Sequence, residues 1–176
     1  MRSGLLYSFD DDEVLESVTR ANTLCSRLSR LTLASPEYRA TIEALIPGFP
    51  VSSAVNPPFH CDHGNGISVG EHTFINYDCI MLDAGRITIG SNCKIGPRCQ
   101  FFTPNHPMDY QERRHPVETG LPITVGDDCW LGGGVTVCPG VTIGDRCIIA
   151  AGSVVTRDIP SDSMAAGNPA VVKRRL

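Results

Sequence analysis

An apolar residue recurs at every sixth position along much of this chain, and that period restricts the fold more than any other feature. Val69, Ile75 and Met81 open the series, Ile89, Ile95 and Phe101 continue it after a two-residue offset, and Val125, Leu131, Val137, Ile143, Ile149 and Val155 complete it. A period of six matches neither the 3.6 of a helix nor the 2 of a half-buried strand. It fits a solenoid in which each hexapeptide makes one short strand and one turn, three of them closing a triangular coil. The anchors then point inward, and successive coils stack about 4.8 Å apart, the spacing of paired strands. Four positions after each anchor comes a small or β-branched residue: Thr73, Cys79, Cys93, Cys99, Cys129, Val135, Val141, Cys147 and Ser153. Five of the eight cysteines fall in that slot, which makes them buried, reduced packing groups. Cys138 takes a turn position, Cys25 lies in a helical stripe, and Cys61 has no assigned role.

The beat stops at Thr103 and resumes at Val125. Between them lies T-P-N-H-P-M-D-Y-Q-E-R-R-H-P-V-E-T-G-L-P, with four prolines and two histidines. A long irregular excursion from a compact repeat is usually functional or disordered. Because the register returns at full strength, we read residues 103–122 as a loop leaving one corner of an intact scaffold.

Ahead of the repeats the pattern is helical. Asp10, Asp11 and Asp12 supply a helix start, and Val14, Val18, Ala21, Cys25 and Leu28 form one apolar stripe. Ser35-Pro36 starts a second helix, with Tyr38, Ile42, Leu45 and Ile46 on its apolar face and Pro47-Gly48 as its stop. Two short helices cannot make a core alone, so they are expected to cover the open end of the solenoid. The division is then 1–58 for the helical segment and linker, with residues 50–59 as the linker itself, and 59–176 for the β-helix with its loop and tail.

Composition excludes several classes. A net charge of −4 is wrong for a general nucleic-acid binder. No apolar run approaches the roughly 20 residues of a membrane span, and the N-terminus lacks a signal-peptide core, so a cytoplasmic protein is expected. There is no C-x-x-C pair, and the histidine spacings do not suit zinc.

Taken together, the hexapeptides, N-P-P-F-H-C-D-H-G-N-G-I-S-V-G, N-H-P-M-D, P-I-T-V-G-D-D-C-W-L-G-G-G and A-G-S-V-V-T-R-D-I-P…A-A-G-N-P-A resemble the maltose and galactoside O-acetyltransferases of the hexapeptide-repeat class. The resemblance covers almost the whole chain. It implies a mainly β fold, a left-handed parallel β-helix, assembled as a homotrimer with active sites between subunits. It also implies acetyl-CoA as co-substrate, no metal, and a sugar hydroxyl as acceptor.

Acetyl transfer to an alcohol needs a base, donors for the developing oxyanion and a held thioester. His106 matches the catalytic histidine of the resemblance, and Glu118, on the returning limb of the loop, matches the residue that contacts it. His115 falls in a variable stretch and is read as a surface residue. For the acceptor, the resemblance implies Asn76, Asp83, Asp62 and Asp10. For CoA it implies Trp130 by the pantetheine arm, Gly133 and its neighbouring glycines at the thioester, then Ala151, Thr156, Arg157 and, in the basic tail, Arg174. Arg157 stands where lysine is usual, and Val171 where an arginine is common. Two other readings stand beside this one: a non-catalytic β-helix used for assembly, and a zinc enzyme of the carbonic anhydrase type on the same solenoid.

Overall fold

The computed structural model describes residues 2–176. The repeat builds a left-handed parallel β-helix with three faces, each residue column stacking like on like. The first face is made by β2 (Ala54–Val55), β5 (Phe74–Ile75), β8 (Lys94–Ile95), β13 (Trp130–Leu131), β16 (Ile148–Ile149) and β18 (Ser163–Gly167). The second contains β3 (Phe59–Cys61), β6 (Cys79–Leu82), β9 (Gln100–Phe102), β14 (Thr136–Val137) and β17 (Val154–Val155). The third contains β4 (Ile67–Val69), β7 (Ile87–Ile89), β12 (Ile123–Val125) and β15 (Thr142–Ile143). The solenoid therefore starts at Ala54, inside the proline-rich stretch 50–59.

The register explains why the anchors repeat. Ile75, Ile95, Leu131 and Ile149 stack in one column, Met81, Phe101, Val137 and Val155 in a second, and Val69, Ile89, Val125 and Ile143 in a third. All are buried, so each coil is closed to water by the coils above and below.

The small-residue slot has a second job besides fitting the corner. Sγ of Cys79, Cys93, Cys99, Cys129 and Cys147 approaches the carbonyl of Gly96, Gly126, Gly132, Gly144 and Pro160 at 3.3, 3.1, 3.2, 3.0 and 3.2 Å. Ser53 and Thr73 donate in the same way to Gly70 and Gly90, at 2.7 Å each. A compact side chain with one weak donor satisfies the turn carbonyl that the strand ladder leaves over.

Backbones also approach closely at the corners. A Cβ on Gly132 would lie 2.6 Å from the Ala151 nitrogen, whereas one on Gly133 would meet nothing nearer than 3.3 Å. Gly132→Ala is therefore expected to cost on the order of 2 kcal/mol by overpacking, and Gly133→Ala, where the Pro97 contacts are tight but not overlapping, distinctly less. Urea melts of the two variants check the contrast.

The N-terminal segment closes the first coil as expected. Helix α1 (Asp12–Leu28) is capped by Asp11, whose Oδ1 accepts from the Glu13 N–H at 3.0 Å. Asp10 is exposed and outside the cap. Helix α2 (Tyr38–Leu45) begins later than a Ser35 cap predicts. Ser35 Oγ is instead taken by the Thr32 N–H at 2.9 Å, which makes 35–37 a turn ahead of the helix. Ala21, Cys25, Leu28, Ile42, Leu45 and Ile46 are buried against the solenoid. Arg20 fastens the seam by donating to the Ala44 and His63 carbonyls at 2.7 and 2.6 Å. Cys61 finds its place here, its Sγ 3.8 Å from Cys25 Sγ across the helix–coil boundary. No helix among the described residues is long and apolar enough to cross a membrane.

The excursion leaves the corner between the second and third faces. β10 (Pro104–Asn105) runs out, a 3₁₀ turn at Glu112–Arg114 reverses it, and β11 (Val117–Gly120) returns antiparallel. The base is closed by Leu121 N–H to the Thr103 carbonyl, at 2.9 Å. On its other edge β11 pairs with β1 (Tyr7–Ser8), so the N-terminus lies as a third strand along the loop. At the far end, β18 turns back into β19 (Ala170–Arg175), which carries the basic tail.

Candidate active site

The geometry separates the expected site residues into two groups, on two different corners of the prism. The corner between the second and third faces holds His106, Glu118, Asp62 and Asp83. On the loop, β10 and β11 place the limb of His106 beside that of Glu118. Glu118 Oε2 lies 3.8 Å from His106 Nε2, and His106 Nδ1 lies 3.4 Å from the Val117 carbonyl. A neutral imidazole has one N–H. With that proton on Nδ1, directed at Val117, Nε2 keeps a lone pair facing the gap in front of Glu118. If Nε2 takes a proton, the new N–H has a carboxylate within reach. Nδ1 is thus held by the Val117 carbonyl, whereas Glu118, expected from the resemblance to contact the histidine, stands before Nε2.

His106 is half exposed, its side chain at 51%, and Glu118 is nearly covered at 12%. What covers it is the N-terminal strand. Tyr7 stands opposite Glu118 in the β1–β11 register, and its hydroxyl donates to Glu118 Oε1. Phe9 presents an edge-to-face contact to the His106 ring, centroids 6.2 Å apart. Neither residue stands out in the sequence, where the first candidate is Asp10. A two-residue strand has no detectable period, and the partner of Tyr7 lies 111 positions away.

Asp62 is partly buried at the turn after β3. Burial first, then the charges of Asp83 and Glu118, push its carboxyl up to about 6. It is therefore partly protonated just below neutrality and can either donate or accept a hydrogen bond. Asp83 is 0% exposed. Its Oδ1 accepts from the N–H groups of His63 and Gly64 at 2.8 and 3.1 Å, and its Oδ2 from Gly66 at 2.9 Å. The carboxylate that resembles a pocket residue is taken up in holding the backbone turn beside Asp62. Thr156 and Arg157 follow β17 at this same corner, both exposed.

The second group lines a groove of about 540 Å³ along the first face and the corner that follows it, with Asn76, Trp130, Gly132, Gly133 and Ala151 among its walls. Trp130 is 57% exposed on a wall it shares with Phe74, Ile148, Met164 and the corner glycines. Asn76 caps its own turn, Oδ1 accepting from Tyr77 N–H at 2.8 Å. At the next coils the corner changes character. The Gly132 and Gly134 N–H groups bond to Ile149 and Pro97 carbonyls, both at 2.8 Å, but those of Gly133 and Ala151 meet no protein acceptor among the described residues. Two solvent-facing donors without a protein acceptor, at neighbouring coils of a groove, offer a place for an oxygen that carries or develops negative charge. Arg174 stands opposite Met164, another groove residue, in the β18–β19 register. Asp10 is exposed just after β1, next to Phe9, whose ring packs against His106.

Among the described residues, no three His, Cys, Asp or Glu side chains gather as a metal-ligating set. The bacterial transferase hexapeptide family (six repeats) matches residues 122–157. A maltose O-acetyltransferase from Clostridium difficile 630 superimposes with a TM-score of 0.95 at 38% identity, over 99% of this chain and 94% of that one. A hexapeptide-repeat acetyltransferase from Vibrio cholerae complexed with acetyl coenzyme A gives 0.88 at 36% identity, over 100% and 96%. A galactoside acetyltransferase in complex with coenzyme A gives 0.93 at 31% identity, over 98% and 87%.

Proposed function

The chain belongs to the hexapeptide-repeat acetyltransferases that use acetyl-CoA, alongside the maltose and galactoside O-acetyltransferases, and from that premise we propose that it acetylates a sugar hydroxyl. His106 Nε2 takes the proton from the acceptor hydroxyl as its oxygen attacks the thioester carbonyl, and the nearby Glu118 carboxylate stabilises the imidazolium. The oxyanion is held by the Gly133 and Ala151 N–H groups. It collapses to the ester and expels the CoA thiolate, which recovers the proton from the imidazolium. Trp130 flanks the pantetheine arm, and Arg174 reaches toward the phosphates.

The observation that carries this reading is that one chain has the base at one corner and the oxyanion donors at another. A complete site then forms where the loop corner of one copy meets the groove of the next, which supports a closed homotrimer. In that arrangement Thr156 and Arg157, which share the loop's corner, approach CoA from the side of the base. Asp62, with Asn76 across the interface and Asp10 at the mouth, meets the acceptor hydroxyls, while Asp83 contributes through the turn it holds. Use of acetyl-CoA as donor supports a cytoplasmic reaction.

The test is release of free CoA from acetyl-CoA with a panel of maltose, glucose and galactosides beside primary amines. Turnover that depends on a neutral sugar is the expected result. Turnover with the amines and none with any sugar would overturn the O-acetyl assignment.

A further inference from the structure

A carboxylate has two oxygens, and which of them faces the imidazole depends on what holds the other. Glu118 is faced by Tyr7 from β1, by Asp62 from the turn after β3 and by His106 from the outgoing limb of the loop. Asp62 offers no attraction while ionised, and the imidazole lies beyond hydrogen-bond distance at 3.8 Å. The Tyr7 hydroxyl is thus the side-chain donor that fixes the group, bonded to Oε1 and leaving Oε2 directed at Nε2. The phenol is itself well placed. Tyr7 and Glu118 are register partners, and Phe9 N–H extends the pairing to the Pro116 carbonyl at 2.9 Å. Burial and the bond to Glu118 push the phenol's pKa up, so it remains a donor.

We propose that Tyr7 is a positioning residue for acetyl transfer, its hydroxyl holding Glu118 so that the free carboxylate oxygen meets His106 Nε2 as that nitrogen takes the acceptor's proton. Tyr7 keeps its own proton throughout; the transferred proton passes from the acceptor oxygen to Nε2 and then to the CoA sulfur. The proposal rests on the reading of His106 as the base.

Tyr7→Phe keeps the ring and the backbone pairing and removes the donor alone. Measured across a pH range with a turned-over sugar, its kcat is expected to fall about 10-fold. The KM for acetyl-CoA should hold, and the acidic limb of the pH–rate profile should move to lower pH as the carboxylate is released from the protonated ring. In a Glu118→Gln background the same substitution should add little, because the group it positions is gone. A wild-type kcat and profile for Tyr7→Phe overturns the proposal and leaves the acetyl-transfer reading standing. An equal loss in both backgrounds also overturns it, since that marks a general structural effect. If the unmutated protein shows no transfer that His106→Ala abolishes, the reading beneath falls and this proposal with it.

Discussion

His106→Ala is expected to lower the rate of acetyl transfer by about 10²–10⁴-fold, the usual contribution of a positioned general base. The loss should appear in kcat, because a sugar hydroxyl is scarcely ionised near neutrality and the base acts on the proton in flight. Binding of acetyl-CoA should be nearly unchanged, since His106 lines no part of the groove of Trp130, Gly133 and Ala151. The fold should be unaffected too: the side chain is half exposed and touches the Phe9 edge, the Val117 carbonyl and Glu118 without entering the core. The strand pairing of the loop is made by backbone groups that alanine retains. Residual activity above the uncatalysed rate should survive through the Gly133 and Ala151 donors. Single-turnover kinetics with wild-type and variant protein, alongside a thermal melt, check all three parts. A variant that turns over within a few-fold of wild type would remove His106 from the chemistry.

The residues behind this expectation were not equally legible in the sequence. The anchors were, because an inward column has to be apolar in every coil and nothing in a corner can disguise that period. His106 stood out because the loop breaks the period between two prolines. Glu118 was visible as a loop carboxylate, but its side of the imidazole was not, since the Val117 carbonyl that holds Nδ1 belongs to the backbone and leaves no mark on residue type. Tyr7 was hidden for a different reason: its contact depends on a two-residue strand docking on a loop 111 positions later, and strands so short carry no pattern. The start of α2 was misplaced because a serine before a proline serves a turn as readily as a cap. Asn76 and Asp83 show the remaining difficulty. In a hexapeptide coil a polar corner residue can turn outward to a ligand or back to the main chain, and the period is identical in the two cases.

Asp83 separates those cases by experiment. If its carboxylate serves the backbone, Asp83→Ala strands the N–H groups of His63, Gly64 and Gly66 in a site with no water access, where the side chain is 0% exposed. Hydrogen bonds to a charged acceptor contribute more than neutral ones, and buried donors without partners carry the full desolvation penalty, so the expected loss is on the order of 3–5 kcal/mol. Asp83→Asn should cost less, about 2 kcal/mol, because one oxygen remains while the amide NH₂ confronts an N–H that needs an acceptor. The turn at 63–66 also joins the solenoid to α1, through Arg20 at the His63 carbonyl and Ser17 Oγ at 3.0 Å from His63 Nδ1, so the damage should loosen the N-terminal cap. The same substitution removes one of the charges that raise Asp62, and the Asp62 carboxyl should titrate below about 6 in Asp83→Asn. Urea melts and the titration of Asp62 by NMR read the two effects independently. Were Asp83 a direct sugar contact instead, both variants would melt within about 0.5 kcal/mol of wild type, and the damage would appear as a raised KM for the acceptor.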